Sequence, residues 1–378
     1  MPLREQLSDA FGHIQGYLFP WLRSEVGPLT SEHERLVVVL GMARLEAFVT
    51  MRDGGPGRPL EDRQALGRAF VAKAVLGLPV TRMLIDRLRV DTTLRRLCGW
   101  ERVGELPCEA TFSRAFAEFA AGELPTRMHE ALVTRTLGQH LVGHVSIDAT
   151  AIEAREKQVR VERPQQPKVE RKRGRRKQGE APPPKEPRRL ERQATMTVPE
   201  MLADLPVHCG YGAKRNAKGH TASWIGYKLH IATADGDIPV ACVLTSANAH
   251  DSQVAIPLMQ IAAARVTSLY DLMDSAYDHP EIAATSRTLG HVPIIEQQPR
   301  RGQKATFEAE ARAKRRAGYE LAEDVRYNQR SSAERVNSAL KDNCGGKHVR
   351  VRGAAKVMCH LMLGILVVTV EQLMRLVV

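Results

Sequence analysis

No C-x-x-C pair occurs in this chain: its six cysteines stand apart at 98, 108, 209, 242, 344 and 359. That scatter excludes the common paired-cysteine zinc frameworks, and His208, Cys209 and His220 alone do not replace them. No secretory leader and no disulfide scaffold are expected, and a reducing cytoplasm is. Apolar runs of bilayer length are missing as well. The stretch Val357–Val370 holds 14 residues without Lys, Arg, Asp or Glu, short of the roughly 18–20 that cross a membrane. It is expected as a buried helix. No internal repeat is visible, which sets aside a repeat array.

What is present is length and positive charge. With 378 residues the chain can bury a sizeable core and is expected to hold two domains. The formal charge of +12 suits a polyanionic partner. That charge is unevenly placed: Arg155–Arg192 carries 15 Lys+Arg against 6 Asp+Glu, a local +9, which leaves only +3 for all the rest. Overall charge is therefore a poor guide to any surface on the folded parts.

Residues 1–140 read as a helical domain. Leu60–Leu78, Thr81–Cys98, Glu109–Ala121 and Pro125–Leu137 show apolar residues at helical spacing, broken at Gly77-Leu-Pro79, Gly99-Trp100 and Leu106-Pro107, with a turn-rich stretch at Gly54–Pro59. From about 155 to 206 the chain is basic and proline-containing, with Arg171–Lys177 and Pro182–Pro184 its densest parts. It lacks apolar periodicity and is expected as a mobile insertion, either a solvated linker or a binder of DNA backbone. Strands are expected around 144–148, 224–233, 239–245, 269–274 and 291–295, with a turn at Asp235-Gly236 and helices over 252–265 and 280–289. One more helix follows, over the run Tyr327–Lys341, and C-terminal helices are expected over about 350–376. The order β-β-β-α-β-α-β-α suits a mixed sheet with helices on its faces.

The last of these ordered segments is the most informative. At about 100° per residue, Tyr327, Arg330, Glu334 and Lys341 fall within an arc of roughly 60°, while Ala333, Val336 and Leu340 lie opposite. One face thus lines up a carboxylate with two cations and a phenol; the other can pack. Two apolar strands each lead to an aspartate, His144-Val-Ser-Ile-Asp148 and Leu269-Tyr-Asp-Leu-Met-Asp274.

The spacing Y-(2)-R-(3)-E-(6)-K at Tyr327, Arg330, Glu334 and Lys341 resembles the signature of bacterial insertion-sequence transposases of the DDE superfamily. The two strand aspartates, Trp224–His230 and Asn248-Ala-His250-Asp251 resemble the same family in the same order, from about residue 140 to the C-terminus. The resemblance implies a ribonuclease-H-like catalytic core at 141–378, behind a helical N-terminal domain that recognises DNA ends. It implies Asp148, Asp274 and Glu334 as catalytic metal ligands, and Tyr327, Arg330 and Lys341 on DNA phosphates, with Lys228 a further DNA contact. Three carboxylates suit two Mg²⁺ ions, for which Mn²⁺ can substitute, because hard ions take oxygen ligands and two of them can serve both oxygens of a phosphodiester displacement.

Rival readings accompany several positions. Asp271 and Asp278 flank Asp274, but Asp271 belongs to the alternation within the strand and Asp278 lies past its end. Asp251 precedes an apolar helix and is expected as its N-cap rather than a ligand, with His250 supporting the site from behind. Trp224 is expected in the core. Pro107–Phe116 is either a short recognition helix, with Phe112, Phe116 and Phe119 inward and Thr111, Ser113 and Arg114 facing DNA, or an ordinary member of the bundle. Only 60 residues separate Asp274 from Glu334, too few for the large β subdomain that some family members insert there, so a hairpin route at the cut end is in doubt.

The expected activity is cleavage of terminal inverted repeats and transfer of the freed 3′ end to target DNA, by a homodimer on double-stranded DNA. The alternatives are a metal-dependent nuclease that cuts without joining, and a transposase-derived DNA-binding protein without catalysis.

Overall fold

A computed structural model describes residues 2–50, 61–160, 186–215, 219–297, 299, 302–318 and 320–377. The turn expected at 54–59 and residues 161–185 of the basic insertion lie outside the described residues.

The N-terminal part is helical as its periodicity implies. It comprises α1 (Leu3–His13), a π-helical turn (Ile14–Leu18), α2 (Phe19–Val26), α3 (Ser31–Ala43), α4 (Arg63–Val75), α5 (Thr81–Val90), α6 (Thr92–Cys98), α7 (Glu109–Ala121) and α8 (Leu124–Leu137). The single helix expected over 81–98 is two, because Asp91 leaves the helical conformation and its side chain accepts from the Leu94 N–H to start α6. In α7, Phe112, Phe116 and Phe119 are buried and all three rings pack around Phe70 of α4.

The second part is β1 (Leu141–Glu153), α9 (Arg189–Gln193), α10 (Val198–Asp204), β2 (Gly210–Arg215), β3 (Thr221–Ala234), β4 (Ile238–Ser246), α11 (Ser252–Ala263), β5 (Thr267–Met273), α12 (Pro280–Thr288), β6 (Val292–Ile295), α13 (Lys304–Ala317), α14 (Ala322–Tyr327), a 3₁₀ turn (Asn328–Arg330), α15 (Ser331–Asn343) and α16 (Ala354–Arg375). The sheet runs β2-β3-β1-β5-β6, with β4 also paired to β3. β1 is antiparallel to β3 and parallel to β5, and β5 is parallel to β6. Because Gly226 and Tyr227 pair with β1 and also with β2 or β4, the last two follow one another along the far edge of β3. This six-stranded mixed sheet is consistent with a ribonuclease-H-like core.

Two expectations change. A sixth strand, β2, had no place in the sequence reading: its residues Gly-Tyr-Gly-Ala-Lys-Arg carry little β-branched character, and pairing with β3 makes them a strand. The proposed insertion is also shorter than 155–206. Its last part forms α9 and α10, held by Arg189 and Arg192 on Asp204, by the Arg189 contact with Gln253, and by Gln193 donating to the Gln253 carbonyl. Arg189 and Arg192, two of the cations counted there, are thus both paired with Asp204.

The β3–β4 turn falls where Asp235-Gly236 placed it, with Gly236 and Asp237 both at positive φ. At Gly226 two strands approach so closely that a Cβ would meet the Ile152 carbonyl oxygen at 2.1 Å.

α16 is buried as expected but spans 22 residues. By length and composition alone it could cross a bilayer, yet 83% of its most apolar window is inside the fold. It packs on α3, α4, α7 and α8 and also on β4 and α15. One continuous apolar core therefore joins the helical part to the sheet part.

Candidate active site

The register of the sheet sets the site. The parallel ladder between β1 and β5 ends at Ile147 beside Met273, so the next residues, Asp148 and Asp274, emerge side by side at the carboxyl end of a parallel pair. Open α/β sheets characteristically place ligands there. The expectation that β1 stops at Asp148 needs correcting: the strand continues to Glu153, because β3 goes on pairing with it after β5 has ended. Asp274 does end its strand, and its carboxylate accepts from the Ala276 N–H to start a 3₁₀ turn.

α15 brings the third carboxylate. Ala333, Val336 and Leu340 are fully buried, which turns the opposite face outward as the sequence pattern requires. Arg335 then forks onto Asp237, Nη2 to Oδ1 at 2.6 Å and Nε to Oδ2 at 2.7 Å, tying the helix to the β3–β4 turn. Asn337 donates Nδ2 to Asp148 Oδ2 at 3.0 Å.

Asp148, Asp274 and Glu334 line one cleft of about 350 Å³, together with Ala149, Thr150, Lys214, Arg330 and Asn337. They do not converge on a point: among the described residues no three His, Cys, Asp or Glu side chains are grouped to hold a metal ion. Glu334 Oε1 accepts from Arg330 Nη2 at 2.9 Å.

The donor set nevertheless fits a divalent cation. Burial raises the Asp148 carboxyl above its usual range, and the charge of Asp274 adds to that, while the Ala149 N–H and the cations of Lys214 and Arg330 oppose it. Two adjacent carboxylates that repel each other are relieved by a cation between them. All three acids offer oxygen only, as Mg²⁺ or Mn²⁺ requires.

Around the guanidinium of Arg330, burial works against the charge, but Tyr327, Glu334, Asp148 and Asp274 together hold its proton more tightly than usual. The Tyr327 ring lies beneath it, 5.8 Å from centroid to Cζ. The Tyr327 hydroxyl donates to Glu296 Oε2 at 3.1 Å, and burial with the Glu296 charge pushes the phenol up to about 12.

The single helix expected across Tyr327–Lys341 is interrupted. Tyr327 closes α14, Arg330 closes the 3₁₀ turn, and α15 begins at Ser331. Lys341 is half-buried and not part of the cleft lining; burial lowers its ammonium, opposed by Glu153 and Asp342.

Lys228, expected on DNA, has its ammonium on Asp251 Oδ1 and the Ala249 carbonyl, each at 2.8 Å. The N-cap role expected of Asp251 is not what the structure shows, for its side chain makes no cap bond to α11. His250 Nδ1 instead meets Ser252 Oγ at 2.8 Å. Asp271 is buried with Ser286 and His291, away from the cleft lining. Arg114 is exposed on α7 and contacts Thr111 Oγ1 at 3.3 Å.

Three contributors escaped the sequence reading. Asn337 lies three residues after Glu334, a spacing that places it on the same helical face. Lys214 belongs to the unforeseen strand β2. Tyr277 carries a buried hydroxyl without a partner, close enough to Asp251, Asp148 and Asp274 that burial and their charge hold it firmly as a phenol.

Residues 143–370 match the family described as transposase DDE domain. No curated protein and no solved structure gives a significant match.

Proposed function

The chain belongs to the DDE transposase family, and on that premise we propose that it cuts the ends of an insertion sequence and joins them to target DNA. The observation that carries this reading is the side-by-side placement of Asp148 and Asp274 by the β1–β5 ladder, with Glu334 across the same cleft.

In this account Asp148, Asp274 and Glu334 hold two divalent ions. Bound there, the ions supply activation of the attacking oxygen and stabilisation of the leaving oxygen. The protein's own groups position the strand. The Arg330 guanidinium takes a DNA phosphate and, in doing so, gives up Glu334 to the cation site. Lys214, which also lines the cleft, meets the same backbone. Tyr327 supports Arg330 from beneath, and Lys341 extends the basic face along α15. Arg114 on α7 contacts the terminal repeat. Lys228 holds Asp251 and reaches DNA only by leaving that pair. Water attacks first and frees a 3′-hydroxyl, which then displaces the 3′ oxygen of a target phosphodiester, so one P–O bond forms as one breaks. Pairing two ends calls for a homodimer on double-stranded DNA, in the cytoplasm where the nucleoid lies.

Incubating the full chain with Mg²⁺, element-end duplex and a target plasmid tests this. Joined products support it, and Glu334→Gln should bind the ends yet give neither cuts nor joints. Cleavage without joining would assign a nuclease, and binding alone would assign a DNA-binding descendant of a transposase.

A further inference from the structure

We infer that Asn337 is a positioning residue, one that fixes the Asp148 carboxylate relative to the helix carrying Glu334. This rests on the reading above that the cleft takes a divalent cation.

Asn337 and Glu334 share a face of α15, but their surroundings differ. Glu334 is exposed, whereas Asn337 is only 7% exposed. An amide at that depth is costly unless bonded, and a buried polar group is expected to have a partner. Its Nδ2 has one: Asp148 Oδ2, at 3.0 Å and 189 positions away in the chain. Its Oδ1 has none, although it is buried in a residue that lines the cleft.

The choice of donor is informative. Lys or Arg at this position would neutralise Asp148 and compete with a metal ion for it. An amide orients the carboxylate and leaves its charge for a cation. The same bond stands between strand and helix, so it sets where Glu334 begins relative to Asp148.

Two variants of the full chain separate this role from simple packing, read by Mn²⁺ titration and by thermal melting with and without Mn²⁺. Asn337→Leu keeps the bulk and removes the donor. It should bind Mn²⁺ roughly ten-fold or more weakly, the usual scale for losing a group that orients a ligand, while still binding element-end DNA. Asn337→Asp sets a second carboxylate against Asp148. It should melt lower than the parent without Mn²⁺ and recover much of that loss when Mn²⁺ is added. A structural staple would not give this split. An unchanged Mn²⁺ affinity in the Leu variant, or an equal loss of melting temperature with and without Mn²⁺ in the Asp variant, overturns the role. If the parent chain itself binds no Mn²⁺, the cation reading of the cleft fails first and this inference falls with it.

Discussion

Arg330 donates to Glu334 at 2.9 Å across one turn of helix, and the Glu334 side chain is 58% exposed. The Arg330 side chain is only 22% exposed, so the mobile end of this pair is the carboxylate, and in the proposed account a DNA phosphate takes the guanidinium and releases Glu334. The Asn337–Asp148 bond is part-buried, and breaking it leaves an unsatisfied group at a cost of about 1–3 kcal/mol. One acid is fixed and another is free to move.

Arg330→Ala follows from that contrast. Stability should fall, since Arg330, whose side chain is 22% exposed, loses Glu334, the Tyr327 ring and the opposite charges of Asp148 and Asp274. Element-end DNA should bind more weakly, with the slope of log affinity against log salt reduced by about 0.9, the loss of one phosphate contact. Anisotropy titrations over a range of salt concentrations measure this, and an unaltered slope would remove Arg330 from the DNA interface.

Lys228 and Asp251 should matter to folding. With 17% and 25% of their side chains exposed, they form a largely buried ion pair. Lys228→Met strands the Asp251 carboxylate and should cost about 1–3 kcal/mol in chemical denaturation. If stability is kept while DNA affinity falls, Lys228 is a DNA contact after all and leaves Asp251 in the complex.

Ser286, Asp271 and His291 form a buried network where β5 meets β6. The hydrogen bond to Asp271 raises His291 above its ordinary value, against the effect of burial. Because the folded-state value is the higher one, this stabilisation is complete below about pH 6.5 and fades as pH climbs through the folded value. Thermal melting of the parent should decline across that rise in pH, and His291→Gln should lack that part of the decline. A parallel pH profile in both proteins would show that the network does not titrate there.

Much of this was legible in the chain itself. The apolar runs before Asp148 and Asp274 pointed to two strands, which the structure pairs, and the apolar positions Ala333, Val336 and Leu340 marked the buried face of α15, because burial of one face dictates the other. Three things were hidden. The continuation of β1 past Asp148 depends on β3 staying when β5 leaves, a pairing fact that no local pattern carries. β2 has a weak strand composition and exists through its partner. The pairing of Lys228 with Asp251 joins residues on different elements, so Asp251 looked like a helix cap when judged by its neighbours alone.

The claim beneath all of this is that Asp148, Asp274 and Glu334 hold the same metal when DNA is bound. Iron-directed cleavage of the polypeptide tests it directly: Fe²⁺ replaces Mg²⁺ in the DNA complex, ascorbate and peroxide are added, and the fragments are mapped. The account predicts backbone cuts near 148, 274 and 334 together, all suppressed by excess Mg²⁺. Cuts confined to other segments, or none that Mg²⁺ suppresses, would contradict it.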